Sequence, residues 1–551
     1  MPQSDPATAP LDCIVVAGEL PREFLGTDSR ERMRLQLDGT PASLNFLARY
    51  FAAGRDAAAA RAAIQGQRRA FVGLNGPYLC QHLADQGLTA ARIDLLSDQQ
   101  EDFAALLARR PPVIVLSTTF LPLAEHIDAM AAAIKRHAPW ATVVVGGTQV
   151  WKSHQHRRLL DTGAIGADIA PAVCAHNYLM DETRPSPVDV LVVSDRGEST
   201  LAALVRRIRD GASWHDLPNL AWQENGRWRR TPVVAEPHRD IAIDWRRHPL
   251  PEAPLYLPLQ AGQGCGFRCT FCDFCALHPR VSLRDPEAVV AEIRTMPERD
   301  GLRRVYFTDD NLFASRARAA AMCRALIDSG MRLRWRGMFR IGIVDAEIAE
   351  LLARSGCLEV LLGIESGDPA ILANMNKRTD PQQALEALAL LDRHGINTKS
   401  FFIVGFPGET ERSVMATVDF LNAYPDAGPA VHRYTLFTFA PLPLAAIASP
   451  ANRERWQLAG YGFSWRHATM DSDTANDLMC EMYPRIKPEL SPSYPLEVPE
   501  LPGMDPAALK QVYRLRNRLA RSTDPGERAK LFDQLETAFT DCRPDRLVAA
   551  G

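Results

Sequence analysis

The chain lacks the sequence features of a membrane-bound or secreted protein. No apolar run approaches the roughly 20 residues that a membrane-spanning helix needs, and the first residues, MPQSDPATAP, do not place a basic segment before an apolar one as a signal peptide does. The net charge is only −3, so no excess of positive charge points to nucleic acid or to an anionic membrane as a partner. We therefore expect a cytoplasmic protein, in which a cysteine cluster binds metal more often than it forms disulfides.

The chain also lacks internal repeats and low-complexity segments. Its 551 residues exceed what one simple domain needs, so two to four domains are expected. Hydrophobic residues make up 46% and charged residues 23%, which is the composition of an ordinary globular protein with a sizeable core.

The first part of the chain alternates short apolar runs with helical patterns. LDCIVVAG, PPVIVLSTTF, ATVVVGG and VDVLVV predict buried parallel strands with helices between them. We assign residues 1–215 to a doubly wound, Rossmann-like α/β domain, which binds ligands beyond the carboxyl ends of its strands. The turns Ser117–Thr119, Gly146–Gly147 and Gly197–Glu198 would lie at that edge.

Two segments interrupt this pattern. About fifty residues from Glu19 to Gly73 follow the first strand, although such loops are usually about 2–6 residues long. A predicted hairpin around Asn225–Gly226 and a proline-rich stretch form a linker at residues 216–250.

A second α/β series begins after the linker. Its predicted strands include LYLPLQAG, LRRVYFTDDN, CLEVLLGIESG and INTKSFFIVGFPGE. We interpret residues 251–445 as a partial (β/α)6 barrel whose functional turns follow the strand carboxyl ends. Residues 446–551 are predicted to form a mostly helical C-terminal domain.

The stretch QGCGFRCTFCDFCAL contains four of the 11 cysteines in the chain. Cys265, Cys269 and Cys272 follow the spacing C-x3-C-x2-C, which suits three corners of an iron–sulfur cube and leaves one iron open. Zinc more often uses two separated C-x-x-C pairs, and no second pair occurs here. Cys275 or Asp273 could still close the fourth corner, so that alternative stays open.

These motifs, in this order, resemble the radical S-adenosylmethionine (SAM) superfamily. The resemblance covers roughly Leu255–Pro443 and includes YFTDDN, LLGIESGD followed by MNKRT, and VGFPGET. It implies that the open iron of a [4Fe-4S] cluster binds SAM. The residues that would bind SAM or line its site are Asp309, Asp310, Glu365, Ser366 and Gly405; structural roles as a helix cap or strand-end acid are the alternatives for the three acids.

A doubly wound domain before such a barrel resembles the cobalamin-binding branch of that superfamily. The resemblance implies that cobalamin lies at the carboxyl edge of the sheet. No D-x-H-x-x-G motif occurs, so a histidine below the cobalt is not expected, and the insertion would occupy that place. The residues implied to bind cobalamin are Arg69, Asn75, Gly76, Tyr78, Ser117, Thr118, Thr119, Gly146, Gly147, Gly197 and Glu198. Arg68 and Arg69 could alternatively be an exposed basic pair.

The same resemblance implies transfer of a methyl group from SAM, through cobalamin, to an unactivated carbon or phosphorus of a small molecule. The chain looks nearest to tryptophan 2-C-methyltransferases and phosphinate P-methyltransferases of antibiotic biosynthesis, with flavodoxin or ferredoxin as electron donor. Tyr434, His432 and His467 are the candidate catalytic residues, with a place in the core as their alternative.

Other functions remain open at this stage. They are another cobalamin-dependent radical rearrangement, a non-catalytic electron-relay protein, and a methylthiotransferase that would bind a second cluster through Cys13, Cys80 and Cys174. Cys13 lies in a predicted strand and Cys80 on a predicted helix face, which favours core packing for both.

Overall fold

The computed structural model describes residues 10–19, 34–68, 72–121, 123–166, 169–179, 183–237, 240–250, 256–494, 497–501 and 503–540. The chain divides into two compact units, one formed by residues 1–24 and 71–249 and the other by residues 25–70 and 250–551. None of the described helices is long and apolar enough to cross a membrane.

The elements of the first 250 residues alternate as the apolar pattern predicts, apart from those of the insertion. In chain order they are β1 (Cys13–Val16), β2 (Gln36–Leu37), β3 (Thr40–Pro41), α1 (Leu44–Ala52), α2 (Ala57–Arg68), α3 (Asn75–Asp85), β4 (Ala90–Ile93), α4 (Gln100–Leu107), β5 (Val113–Ser117), α5 (Ala124–His137), β6 (Thr142–Gly146), α6 (Thr148–Asp161), α7 (Ala170–Ala175), β7 (Val190–Val192), α8 (Glu198–Arg209), β8 (Leu220–Glu224) and β9 (Arg227–Arg230).

The first unit contains a seven-stranded sheet in the order β4-β1-β5-β6-β7-β8-β9. Strands β4, β1, β5, β6 and β7 are parallel, in the strand order of flavodoxin-like folds, whose ligand crevice lies where the order reverses. Here that point is between β1 and β5. The hairpin predicted as a linker is instead part of the sheet, because β8 pairs antiparallel with β7 and β9 with β8.

Both faces of this sheet are covered, which explains its continuous apolar strands. Ile14 and Ile114 belong to a core cluster that contains residues of α5, whereas Val15 and Val115 belong to a cluster that contains residues of α3 and α8. Alternate strand residues thus serve two cores, as expected for a buried parallel sheet.

The second unit continues the alternation of strands and helices. Its elements after residue 250 are β10 (Leu257–Leu259), β11 (Gly262–Gln263), α9 (Phe274–Leu277), β12 (Ser282–Leu283), α10 (Pro286–Thr295), β13 (Arg303–Phe307), α11 (Arg316–Asp328), β14 (Leu333–Met338), α12 (Ala346–Arg354), β15 (Cys357–Glu365), α13 (Pro369–Asn374), α14 (Pro381–Arg393), β16 (Asn397–Val404), α15 (Glu411–Asn422), β17 (His432–Thr438), α16 (Pro450–Trp456), β18 (Ala459–Tyr461), β19 (Ser464–His467), β20 (Met470–Asp471), α17 (Ser472–Arg485), β21 (Ser491–Pro492), α18 (Pro506–Arg521) and α19 (Pro525–Ala538).

Seven parallel strands form the main sheet of this unit, in the order β10-β13-β14-β15-β16-β17-β21. The six longer strands follow chain order, as in a partial barrel, and confirm the predicted α/β fold class. The two-residue strand β21 was not predicted. Several helices of the unit start with an acceptor side chain followed by proline, a pattern that caps the first turn; the caps are Asp285, Asp368, Asp380, Ser449, Asp505 and Asp524.

The insertion after β1 has a different place from the one predicted. Helices α1 and α2 share a hydrophobic cluster with α18 and α19, in which Phe46 and Leu47 lie together with Val512 and Leu531. The described part of the insertion is therefore a component of the second unit and does not belong to the N-terminal domain to which residues 1–215 were assigned. The C-terminal region is mainly helical and also contains the small antiparallel sheet β18–β20.

Candidate functional site

The four clustered cysteines lie in the connection between β11 and β12, directly after the first barrel strand. Gly264 starts this loop with φ +86°, and a Cβ atom there would lie 2.4 Å from the carbonyl oxygen of Arg280. Only glycine permits this backbone conformation together with so close an approach, so the loop folds back tightly on itself.

A second segment of the barrel fixes the cysteine loop. The backbone N–H of Thr270 donates to the carbonyl of Met375 at 2.9 Å, and its hydroxyl donates to the carbonyl of Asn374 at 3.0 Å. The side chain of Asn376 donates to the carbonyl of Arg268 at 2.7 Å. The MNKRT segment therefore supports the loop between the cysteines.

The environment of the cysteine loop favours thiolates. The hydrogen bond from the Cys275 thiol lowers the pKa of Cys265 to about 6, with smaller contributions from the Phe267 backbone and the cation of Arg340. The same donor lowers the pKa of Cys272. Thiolates are the form that binds metal.

Cys275 lies within the same group of thiols. Its Sγ also donates to the carbonyl oxygen of Phe267 at 2.7 Å, and hydrogen bonding to Cys265 and Cys272 raises its pKa. The described part of the chain shows no group of three or more His, Cys, Asp or Glu placed to hold a single metal ion. The loop geometry therefore leaves both the three-cysteine and the four-cysteine ligand sets possible.

Arg340, which follows β14, lies against the cysteine loop. Its guanidinium donates to the Sγ of Cys269 at 3.5 Å, and its Cζ lies 3.9 Å from the centre of the Phe267 ring. A cation held by an aromatic ring beside a thiolate stabilises the negative charge there. Sequence analysis did not identify Arg340, since a strand-end arginine carries no motif of its own.

The two acids after β13 have different places. Asp309 is buried and accepts the backbone N–H of Ala261 at 3.0 Å, and burial raises its pKa to about 7. It thereby ties the end of β13 to the start of the cysteine loop. Asp310 keeps an exposed surface, and desolvation raises its pKa to about 7, with the nearby Cys265 adding to the rise. Of the two, Asp310 has the position of a ligand-binding group.

Glu365, at the end of β15, forms a buried ion pair with Lys377, with 2.9 Å between Oε1 and Nζ. Its backbone has φ +77°, a conformation that costs a non-glycine residue of order 1 to 3 kcal/mol and occurs often at functional sites. The pair lies close to the backbone of β15, because a Cβ atom at Gly363 would lie 2.4 Å from Oε1 of Glu365 and 2.8 Å from Nζ of Lys377. Lys377 belongs to the MNKRT segment, which connects this strand end to the cysteine loop.

Ser366 lies on the inner side of the turn that follows Glu365. It is fully buried, its Oγ lies 3.3 Å from the hydroxyl of Thr417, and it accepts the backbone N–H of Asp368 at 3.1 Å. These contacts indicate that Ser366 supports the turn. None of them favours the role in SAM binding that we expected for it.

Gly405, at the end of β16, is covered by the C-terminal region. It has φ +90°, and a Cβ atom there would lie 2.6 Å from the ring of Trp465. Its N–H donates to Glu409 at 2.5 Å, and its carbonyl accepts from Nε2 of His467 at 3.0 Å. The other ring nitrogen of His467 lies 3.3 Å from the backbone nitrogen of Thr469. His467 is thus fixed on both nitrogens, which is a structural arrangement and not that of a free base.

The two other predicted catalytic residues lie away from the carboxyl edge. His432 is the first residue of β17, at the amino end, where its ring contacts Thr398 at 2.8 Å and Asp392 at 3.3 Å. Tyr434 is 1% exposed, and burial raises its pKa. Because barrel enzymes carry out their chemistry at the strand carboxyl ends, the structure corrects the expectation for both: they belong to the packing of the barrel.

The carboxyl edge of the N-terminal sheet carries a network of small polar groups. The side-chain amide of Asn75 donates to the carbonyl of Ala17 and to the hydroxyl of Ser117, at 2.5 Å and 2.8 Å, while its buried Oδ1 has no hydrogen-bond partner among the residues that the structure describes. The hydroxyl of Thr118 accepts the backbone N–H of Gln149, in the first turn of α6, at 3.1 Å. Thr119 is exposed beside them, with its hydroxyl 3.2 Å from that of Ser117.

Close packing surrounds most of the glycines of this edge. Gly147 has φ +108°, and a Cβ atom there would lie 3.0 Å from the hydroxyl oxygen of Thr118. A Cβ atom at Gly197 would lie 2.6 Å from Val192, and one at Gly76 would lie 2.7 Å from Arg92. Gly146, before Gly147, is less crowded, at 3.4 Å from Val192. Gly146 and Gly147 therefore place backbone without side chains at the carboxyl end of β6, with the side chains of Ser117, Thr118 and Val192 close to it.

Tyr78 and Glu198 flank the same edge. The Tyr78 hydroxyl is hydrogen-bonded to the Glu198 carboxylate, and burial together with that charge raises the pKa of Tyr78. Burial also raises the pKa of Glu198. Arg69 lies outside the described residues, as does the side chain of Arg68.

The model of the radical SAM superfamily matches residues 259–421. This range begins at the end of β10, contains the three cysteines and ends in α15. The chain carries a radical SAM domain. The expectation from the cysteine spacing and the strand-end motifs is confirmed.

Curated relatives are similar to parts of this chain. An uncharacterized methyltransferase of Pyrococcus horikoshii is 28% identical over 251 residues, 43% of this chain and 53% of that protein. A bacteriochlorophyllide d C-12(1)-methyltransferase of Chlorobaculum tepidum is 32% identical over 31% of this chain and 39% of its own length. An anaerobic magnesium-protoporphyrin IX monomethyl ester cyclase of Cereibacter sphaeroides is 24% identical over 62% of this chain and 54% of its own length. The chain thus spans about half or less of these relatives.

Among solved structures, the radical S-adenosylmethionine methyltransferase TsrM from Kitasatospora setae, with cobalamin and a [4Fe-4S] cluster bound, is similar to this radical SAM protein. The two chains are 20% identical in sequence. The match covers 68% of this chain and 74% of the other, with a TM-score of 0.49.

Proposed function

We propose that the protein is a cobalamin-dependent radical SAM methyltransferase that moves a methyl group from SAM to an unactivated carbon or phosphorus of a small molecule. One observation carries the proposal: a radical SAM domain shares its chain with a flavodoxin-like sheet whose carboxyl edge consists of glycines and small hydroxyl side chains. Two of the curated relatives are methyltransferases, which supports methyl transfer.

The residues present fit an iron–sulfur cluster. Cys265, Cys269 and Cys272 would hold a [4Fe-4S] cluster, because two of the three thiols have lowered pKa values and a cationic guanidinium lies beside the other. SAM would lie against the strand ends that carry Asp310 and Glu365. The cluster and SAM supply radical chemistry when bound.

The N-terminal sheet fits a corrinoid in the same sense. Gly146 and Gly147 leave backbone accessible, Ser117 and Thr118 offer hydroxyl groups, and Asn75 has a buried oxygen that no described residue hydrogen-bonds. Small groups around open backbone at a strand-order reversal are the usual setting for a nucleotide-like tail. A bound corrinoid supplies a methyl carrier.

The chain's own residues position and protect these groups. The Glu365–Lys377 pair connects β15 to the segment that supports the cysteine loop. Trp465 and His467 cover the end of β16 and exclude water from it. These contacts keep the strand ends in one arrangement, which is what the reaction requires of the protein.

The substrate class within this proposal is a small molecule of natural-product biosynthesis, for example the indole of tryptophan or a phosphinate in an antibiotic pathway, with flavodoxin or ferredoxin as the electron donor. The methylthiotransferase alternative is disfavoured, because Cys13 and Cys80 both lie in the hydrophobic core of the N-terminal sheet.

A cyclase-type reaction is the second candidate, since a magnesium-protoporphyrin ester cyclase matches the largest share of this chain among the three relatives.

Anaerobically reconstituted protein should bind corrinoid, seen in its absorption spectrum, and should transfer a deuterated methyl group from labelled SAM to the product, seen by mass spectrometry. Product without the label would support the second candidate, and a protein that takes up no corrinoid would contradict the proposal.

Gly147→Val should weaken corrinoid binding at least tenfold. The new side chain would collide with Thr118 at a backbone conformation that favours glycine, and it would cover the proposed binding edge. The measurement is cobalamin titration of the reconstituted protein, with iron content as a check on the barrel. Gly163→Val serves as control, because Gly163 also has a positive φ but no atom within 4 Å of its Cβ position. Equal losses in the two variants would mean that backbone strain, and not the edge, causes the effect.

A further inference from the structure

Strand β16 presents two different faces. Ser400 and Phe402 contact α15 and the residues after it, through the Tyr424 hydroxyl at 2.8 Å and the Phe420 ring at 6.1 Å. Lys399, Phe401 and Ile403 point to the opposite, inner face of the barrel. They are all partly exposed, whereas their neighbours on the helical face are buried. The inner face of the barrel is therefore open at this strand.

A layer of charged groups lies on the inner face beside Lys399. Arg433 is the register partner of Lys399 on β17 and forms an ion pair with Glu359. Arg336 contacts the other oxygen of Glu359 at 3.0 Å. The remaining pairs of the layer are Arg433–Glu497, Arg516–Glu497 and Arg304–Glu500.

This layer has more positive than negative charge. Four arginines and Lys399 face the three carboxylates of Glu359, Glu497 and Glu500. Each of the arginines has a carboxylate partner, but among the described residues no carboxylate oxygen lies within 4.0 Å of Lys399 Nζ. Burial and the neighbouring Arg433 lower the pKa of Lys399 to about 8, which is still above neutral pH. Glu359 and Glu497 are near enough to raise that pKa, but neither pairs directly with Lys399, so its ammonium group can pair with the anionic group of a bound molecule.

The groups next to Lys399 toward the carboxyl edge are apolar. Phe401 lies one inner position further along β16, and its ring is 6.0 Å from that of Phe437 on β17. The Lys399 Nζ lies 5.4 Å from the Phe401 ring. The inner face thus offers a cation followed by an aromatic wall that continues toward the strand ends.

We propose that Lys399 binds the carboxylate of the substrate inside the barrel, with the apolar body of that substrate packed on Phe401 and Phe437. A carboxylate fits because one lysine supplies one positive charge, whereas a phosphoryl dianion requires more donors. The substrate class is therefore an amphipathic carboxylic acid whose apolar part is directed toward the strand ends. The role of this ligand as substrate rests on the proposed function, but its binding does not.

The test compares 3-phenylpropionate with its uncharged amide, 3-phenylpropionamide, by calorimetric titration of the anaerobically reconstituted enzyme with SAM present. Wild-type protein should bind the acid at least tenfold more tightly than the amide. Lys399→Met should remove this preference, Lys399→Gln should do the same without a change in polarity, and Lys399→Arg should keep most of it. Lys530→Met, an exposed lysine of α19, should behave as wild type.

Three results would overturn the inference. The first is wild-type protein that binds neither probe or binds both equally, and the second is a preference for the acid that survives in Lys399→Met and Lys399→Gln. The third is competition between the acid and SAM, which would assign Lys399 to the SAM carboxylate. Retained iron content shows that each variant is folded. Failure of corrinoid uptake or methyl transfer would remove the proposed function while leaving the acid preference intact, so the two failures are distinguishable.

Discussion

Cys269→Ser should abolish turnover, with activity at least a thousandfold below wild type. Cys269 is buried at the centre of the cysteine loop and is the thiol that the Arg340 guanidinium contacts. Serine is a poor iron ligand at neutral pH, because its hydroxyl stays protonated where a thiol becomes a thiolate. Iron and sulfide analysis of anaerobically reconstituted protein, together with electron paramagnetic resonance, should show that the [4Fe-4S] cluster is lost. Cys265→Ser and Cys272→Ser should give the same result.

Cys275→Ala is the matched comparison within the same loop. The Cys275 thiol already has a backbone acceptor, the Phe267 carbonyl at 2.7 Å, and the radical SAM reaction needs one iron without a protein ligand. We therefore expect Cys275→Ala to retain four irons and the change in the resonance spectrum that SAM binding causes. Loss of one iron site in this variant would show that Cys275 closes the cluster, and would contradict the open-iron assignment.

The parts of the fold that the sequence predicts are those set by local pattern. Continuous apolar strands such as VIVLS (Val113–Ser117) are buried on both faces, which requires a layer of helices on each side of the sheet. Their pattern therefore predicts the parallel sheets directly. The cysteine spacing was equally local, because three ligands in one loop need no knowledge of the rest of the chain.

The errors concern contacts between distant segments. Helices α1 and α2 follow β1 in sequence but pack on α18 and α19, about 450 residues later, and no local pattern reveals that pairing. His432 and Tyr434 looked available for catalysis because aromatic and histidine residues occur in both cores and sites. Their position at the amino end of β17 depends on the direction of the whole barrel. Arg340 was missed for the same reason, since only the folded chain brings it to Phe267.

The largest of these non-local contacts is the buried charge network at Glu497, and removal of that carboxylate should strongly destabilise the second unit. Glu497 is buried and pairs with Arg516 at 2.6 Å and with Arg433 at 3.5 Å. It also accepts the backbone N–H of Leu44 at 2.8 Å and the Tyr513 hydroxyl at 3.0 Å. It thereby joins the insertion, β17 and α18 around one carboxylate.

Glu497→Leu should lower the free energy of unfolding of this unit by about 3–5 kcal/mol, because two fully buried guanidinium groups lose a counterion that water cannot replace. The measurement is urea denaturation followed by tryptophan fluorescence, read from the transition of the second unit. Glu481→Leu is the control: its ion pair with Arg485 is about half exposed, and such pairs contribute about 0–1 kcal/mol.

The double variant Glu497→Leu/Arg516→Met separates charge from packing. If the loss in the single variant comes from an uncompensated Arg516, removal of that arginine should restore a large part of the stability, even though a second large side chain has been changed. Additive losses in the double variant would instead show that Glu497 acts through its hydrogen bonds to Leu44 and Tyr513. The insertion would then be attached to the barrel unit by those two contacts, which two different carboxylate oxygens accept. Glu497→Gln has a single amide oxygen and can keep only one of them as an acceptor, so it should be milder than Glu497→Leu but still less stable than wild type.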